Sequence, residues 1–374
     1  MSSDENDPFE LHAARFLSRL QSLTQSFRTS SEPVETLLPA FDKQRPQIDA
    51  AFAWAAANLH CSDLAAEMCV RFAGCGDPGG GNSLLDLRQS PAEIRHWIDE
   101  GLAACRRLGW RNNEAVFRYQ LAGAVFGDGR FDEAMLHAEA AFQYFREVGD
   151  DRQAAITRNL LGLLSLAQSD AERAINFVQE SLATFRSLES DYDITFTLVV
   201  LAQAFIKAKR FEDALRAADE ARQRARERGD HGNEIAALKK VASASISLGR
   251  QDEAFAAELE ATAVLNASNV SHAAWGVGLG TFDLLRLAAT KTPGDYRKLE
   301  QDLIAFRKVG NWVGEGVALM CLGAANVYRG DRQAGMAFLE QARDLFTKRQ
   351  YALGLNAIQK FLIDAGISES ESVA

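Results

Sequence analysis

The sequence predicts an all-α protein, a right-handed superhelical solenoid of helix pairs with a period of about forty residues. Three observations carry the prediction. Ala134, Ala174, Ala214 and Ala254 recur at intervals of forty. Each interval holds two stretches with apolar residues at three-and-four spacing, the mark of a helix buried along one stripe. Alanine and leucine are plentiful while proline numbers only 7 in 374 residues, a balance that costs least in helices.

Residues 1–91 read as an irregular helical N-terminal cap that ends in the Gly-rich stretch Gly74–Pro91. Five glycines and a proline fall between Gly74 and Gly81, which predicts a mobile loop, or else a flap that touches a partner. The array follows over residues 92–366. Its second helices carry stripes such as Ala134, Ala138, Ala141, Phe142, Phe145 and Val148. Its first helices, such as Glu114 to Phe126 and Ala154 to Ala167, are more apolar, as a helix packed on two sides should be. Polar breakers (Asp128-Gly129-Arg130, Ser169-Asp170, Gly249-Arg250, Arg329-Gly330-Asp331) split each pair, and Gly149-Asp150 and Gly229-Asp230 close the unit where a left-handed cap suits glycine. The series extends back to Ile94 and Gly109. It extends forward to Asp295 and Gly335 after a one-residue insertion. A last helix is expected at Ala352 to Ala365, followed by a disordered tail over 367–374.

The formal net charge of −10 argues against a binder of nucleic acid, which needs a concentrated positive surface. No run of about 18 apolar residues points to a membrane span, and the acidic start Met1-Ser2-Ser3-Asp4-Glu5-Asn6-Asp7 lacks a secretory pattern, so a cytoplasmic location is expected. The five cysteines (Cys61, Cys69, Cys75, Cys105, Cys321) form no Cys-x2-Cys pair, and the six histidines form no His-x3-His pair. Neither a metal nor a cofactor is expected. The charge run Arg216 to Asp230 interleaves signs, with Glu220 and Arg224 at i,i+4 spacing, and reads as a solvated helix face.

Small residues near the middle of the first helices (Ala122, Gly162, Ala202, Ala242, Gly323) lie twelve before the small position of the second. With Leu160-Leu161-Gly162 and Cys321-Leu322-Gly323, this pattern resembles the tetratricopeptide repeat. The longer period, together with the segment Gln47 to Asn58 and the helix that follows Pro91, is similar to the sensor arrays at the C-terminal end of bacterial STAND regulators. The resemblance covers roughly Gln47 to Asp364. About 45 residues precede it, and no Gly-x4-Gly-Lys-Ser/Thr occurs, so the ATPase module of those regulators is not expected here. The resemblance implies a non-catalytic adaptor or regulator in bacterial signalling or defence. Its groove would bind a protein or peptide, and edge repeats of such arrays often self-associate into homo-oligomers. The alternative it implies is a sensor of a small metabolite or sugar.

Trp275 to Asp283, Trp-Gly-Val-Gly-Leu-Gly-Thr-Phe-Asp, has the spacing of a phosphate-cradling loop. It falls inside the first helix of a repeat with neither a strand before it nor a lysine after it, which weighs against a nucleotide. In the groove, the inward places are expected at Tyr119, Phe126, Asn159, Gln203, Lys239 and Met320, with Lys240 beside Lys239. The Asn159 amide can donate and accept at once, which suits a peptide bond, and the lysines could pair with a partner carboxylate. A sensor would instead use an aromatic pocket, for which Trp275, Phe282, Trp312 and Tyr328 are the candidates. No catalytic residues are expected.

Overall fold

The computed structural model describes residues 8–28, 34–76, 84–85, 87–267, 293–310 and 312–367. Trp275 to Asp283 and the tail from Ser368 lie outside the described residues, as do residues 77–83 and 86 of the Gly-rich stretch. Everything described is helix or the turns between helices. The elements are α1 (Pro8–Arg28), α2 (Val34–Asn58), α3 (Asp63–Ala73), α4 (Pro91–Leu108), α5 (Arg111–Gly127), α6 (Phe131–Glu147), α7 (Asp151–Ala167) and α8 (Ala171–Ser187). Then come α9 (Asp191–Lys207), α10 (Phe211–Glu227), α11 (His231–Ser247), α12 (Gln251–Ala267), α13 (Pro293–Val309), α14 (Trp312–Tyr328), α15 (Arg332–Lys348) and α16 (Ala352–Asp364). First helices begin at Arg111, Asp151, Asp191 and His231, and second helices at Phe131, Ala171, Phe211 and Gln251.

The chain forms two compact units, residues 1–144 with 308–311, and residues 145–307 with 312–374. In the first, α1 packs on α2 and α3 on α4, which is followed by α5. Its core stacks Phe52 on Trp97 with ring centroids 4.3 Å apart, and Phe72 meets both edge-on at 5.9 Å. Ser90 and Glu93 close a capping box on α4. From the described end of the Gly-rich stretch, Arg88 pairs with Asp42 at 2.7 Å and donates to the Gly310 carbonyl at 2.7 Å, all within this unit.

In the second unit α7, α9 and α11 alternate with α8, α10 and α12, and each helix packs on the next. The alternation is held by small residues. Ala174 and Ala214 are fully buried, and a Cβ on Gly162 would sit 2.5 Å from Val178 Cγ2, so α7 and α8 approach through a missing side chain. Asp150, Asp170 and Asp230 cap the next helices by accepting the N–H three residues on. Gly149 and Gly229 take the left-handed turn at φ 73° and 65°, but Ser169, Glu189, Lys209 and Gln350 take it without being glycine. On the second helices Arg186 binds Glu220 at 2.9 Å and Glu220 binds Arg224 at 3.2 Å, and Arg224 reaches Asp191 at the start of α9 at 2.8 Å. The charge run is thus a surface ladder of ion pairs, each worth little alone. A separate apolar cluster joins α14, α15 and α16 around Phe346 and Leu339, and Leu299, Leu303 and Phe306 of α13 belong to it.

Candidate functional site: the face of α7, α9 and α11

Three first helices stack directly on one another in the second unit, α7 on α9 and α9 on α11. The forty-residue register puts Asn159 and Lys239 at equivalent points of the outer two, with Val199 between them. Gln203 follows one turn further along α9. Half-buried Ile156, Leu163, Leu166 and Ile206 lie against the core beneath, while Phe196 and Ile246 are 40 % and 59 % exposed. Exposed apolar side chains at helical spacing, mixed with amides and ammonium groups, make a surface whose free energy falls when a partner covers it.

Asn159 is the most constrained polar group of this face. It is only 5 % exposed. Its Nδ2 donates to Thr197 Oγ1 at 2.6 Å, and that hydroxyl donates in turn to the Asp193 carbonyl at 2.6 Å. Asp193 is itself held by Arg152 at 2.8 Å and by Ser190 at 2.7 Å. The chain of bonds fixes the Asn159 amide in one orientation. Among the described residues its Oδ1 is buried with no donor. That leaves a strong acceptor oriented and unused, which is costly unless something supplies an N–H.

Gln203 is half-buried, and its Oε1 accepts from Lys240 Nζ, so α9 and α11 are tied across the same face. Lys239 is half-buried, and its charge acts on the Cys321 thiol. Met320, expected to face inward, is 4 % exposed and belongs to the apolar core of α14–α16. Tyr119 and Phe126 stand half-buried on α5 in the first unit, where the Phe126 ring packs on Phe131 at 5.7 Å. The structure therefore brings Gln203 and Lys240 together and puts Asn159 on the neighbouring helix. Thr197, Phe196 and Ile246 were not among the expected groove residues. The repeat register could have found Phe196 and Ile246, because it aligns them with Ile156 and Leu166 of α7.

Trp312 and Tyr328, candidates for an aromatic pocket, each pack against another ring. Trp312 meets Tyr351 edge-on at 5.5 Å, and Tyr328 meets Phe361 at 5.7 Å. Trp275 and Phe282 lie outside the described residues. Burial pushes the thiols of Cys69, Cys105 and Cys321 up to about 12, so they stay protonated and unreactive at neutral pH. Among the described residues no group of three or more His, Cys, Asp or Glu side chains is placed to hold a metal, and no helix is long and apolar enough to cross a membrane.

No protein-family model matches the chain, and no curated protein matches it. Solved structures do. Aspartyl phosphate phosphatase F from Bacillus subtilis is similar over 95 % of this chain and 97 % of its own, with a TM-score of 0.53 and 12 % identity. A Rap protein complexed with competence and sporulation factor is similar over 97 % and 99 %, with a TM-score of 0.49 and 14 % identity. A STAND protein with a tetratricopeptide repeat sensor from Pyrococcus horikoshii is similar over 96 % of this chain and 55 % of that one, with a TM-score of 0.44 and 11 % identity. Identities this low speak to the fold alone. In fold, this chain is a tetratricopeptide-type array of paired helices.

Proposed function

We propose that the face of α7, α9 and α11 binds an extended segment of a partner protein or peptide, and that the chain acts through this binding as a non-catalytic adaptor or regulator. The observation that carries the proposal is Asn159. Its amide nitrogen is committed to Thr197 while its carbonyl oxygen has no donor among the described residues. A peptide backbone N–H is the donor that suits it. Gln203 and Lys240 on the next two helices add polar contacts, and Phe196 and Ile246 supply apolar anchors. The oxygen is covered in the free protein, so binding has to part the side chains above it. Association then falls below the usual 10⁵–10⁷ M⁻¹s⁻¹, roughly, of a preformed interface.

The test is selection of peptides from a displayed random library on the immobilised protein, followed by calorimetry with the selected sequences. The reading predicts saturable binding that Asn159→Ala and Phe196→Asp each weaken at least tenfold, with unfolding curves showing both variants folded. Peptides that bind the variants as well as the parent would place the binding elsewhere and end this reading.

A further inference from the structure

A second polar anomaly lies far along the chain from the α7, α9 and α11 face, in the apolar cluster of α14–α16. Trp312 opens α14, and Arg349 sits in the turn between α15 and α16. The Arg349 Cζ is 5.7 Å from the centroid of the Trp312 ring. Tyr351 stands edge-on to that ring, and Phe346 tilts against Tyr351 at 5.3 Å. Trp312 is 4 % exposed. Its Nε1–H and the Nε–H of Arg349 are both buried, and among the described residues neither finds an acceptor.

A buried donor without a partner is costly, and one carried by a cation more so. Native proteins resolve such groups with a bound water or ion. The ring itself is a weak substitute, because 5.7 Å is near the outer limit, about 6 Å, of cation–ring attraction. What is missing at this corner is an acceptor on both counts, and one of the two donors is charged. Arg349 is half-buried with only its Nε enclosed, so the site is within reach of a ligand from solvent. A carboxylate serves both: its planar pair of oxygens matches the guanidinium fork and leaves a lone pair for the indole.

We propose that the Trp312–Arg349 corner is a binding site for the carboxylate of a small organic acid. The site is independent of the peptide-binding face and survives or falls separately from it. The indole reports on the site directly. Five tryptophans give five indole N–H signals in a ¹H–¹⁵N spectrum, and Trp312→Phe identifies the one that belongs to this corner. The spectrum is followed during titration with sodium acetate, sodium benzoate, sodium phosphate and sodium chloride at constant ionic strength. The expected result is a saturable shift of the Trp312 signal with acetate or benzoate. Arg349→Gln weakens that response at least tenfold and Arg349→Lys partly restores it, thermal unfolding showing each variant folded. A signal that does not move with any anion means that water satisfies both donors and overturns the site. Equal, unsaturated movement with all four salts overturns it as well, and tighter binding of phosphate than of either carboxylate overturns the ligand class.

Discussion

Asn159 and Thr197, on neighbouring first helices, are joined by a 2.6 Å bond from amide to hydroxyl, and the hydroxyl donates in turn to the Asp193 carbonyl. The relay spends every polar atom of the pair except the Asn159 Oδ1. Removing one partner should therefore hurt more than removing both. Thr197→Val leaves the Asn159 amide without its acceptor and costs about 1–3 kcal/mol. The double variant Asn159→Leu/Thr197→Val is expected to recover most of that loss. Urea unfolding of the two singles and the double checks it, and an additive result would contradict the coupling.

The left-handed turns make a prediction of the opposite sign. Glu189 and Lys209 close helices at φ 52° and 59°, a conformation that costs a side-chain-bearing residue about 1–2 kcal/mol and glycine almost nothing. Lys209→Gly and Glu189→Gly should each raise stability, by roughly 0.5–1 kcal/mol once the extra chain entropy of glycine is subtracted. Denaturant midpoints that fall rather than rise would show that contacts of these two side chains outweigh the backbone strain.

At the other extreme, α14 and α15 touch backbone to backbone. A Cβ on Gly335 would lie 2.8 Å from the Gly323 carbonyl oxygen and 2.9 Å from the Val327 nitrogen. No side-chain rotation relieves that clash. Gly335→Ala is expected to cost about 1–3 kcal/mol, the range of overpacked cores, while Ala337→Gly on the exposed side of the same helix costs about 1 kcal/mol by propensity alone. Equal losses in the two variants would rule out the close approach.

His137 gives the fold a pH dependence. Burial first, then the charge of Arg118, hold its imidazole below the ordinary value of 6.5 although Glu133 and Asp99 pull the other way. Its Nδ1 is buried without a partner among the described residues. The unfolded chain therefore takes up a proton more readily than the folded one. This contribution is fully present above about pH 6.5 and is lost as the pH falls through the lower folded value. His137→Gln should flatten the difference in unfolding midpoint between pH 7.5 and pH 5.0. An unchanged difference would mean that His137 does not titrate in that window.

Most of the fold was legible because helix packing repeats its own requirements. Ala134, Ala174, Ala214 and Ala254 are buried where two helices cross, so the spacing of small residues maps onto the spacing of helices. The face of α7, α9 and α11 was legible only in part. Periodicity says which side of a helix Asn159 is on, not whether α9 comes close enough to cover it. That depends on Thr197, whose hydroxyl is turned back onto its own helix by the Asp193 carbonyl, a bond four residues long that leaves no mark on hydrophobic periodicity. Met320 shows the same limit. It shares the register of Asn159 and Lys239 but is enclosed by the apolar residues of α14–α16.

The central claim is that a partner segment lies along α7, α9 and α11. Amide hydrogen exchange, measured with and without a library-selected peptide, tests it most directly. Added protection concentrated in residues 156–166, 196–206 and 236–246, and absent from the Asn159→Ala variant at the same peptide concentration, is the predicted result. Protection that falls instead on the second helices α8, α10 and α12, or that persists unchanged in the variant, would contradict it.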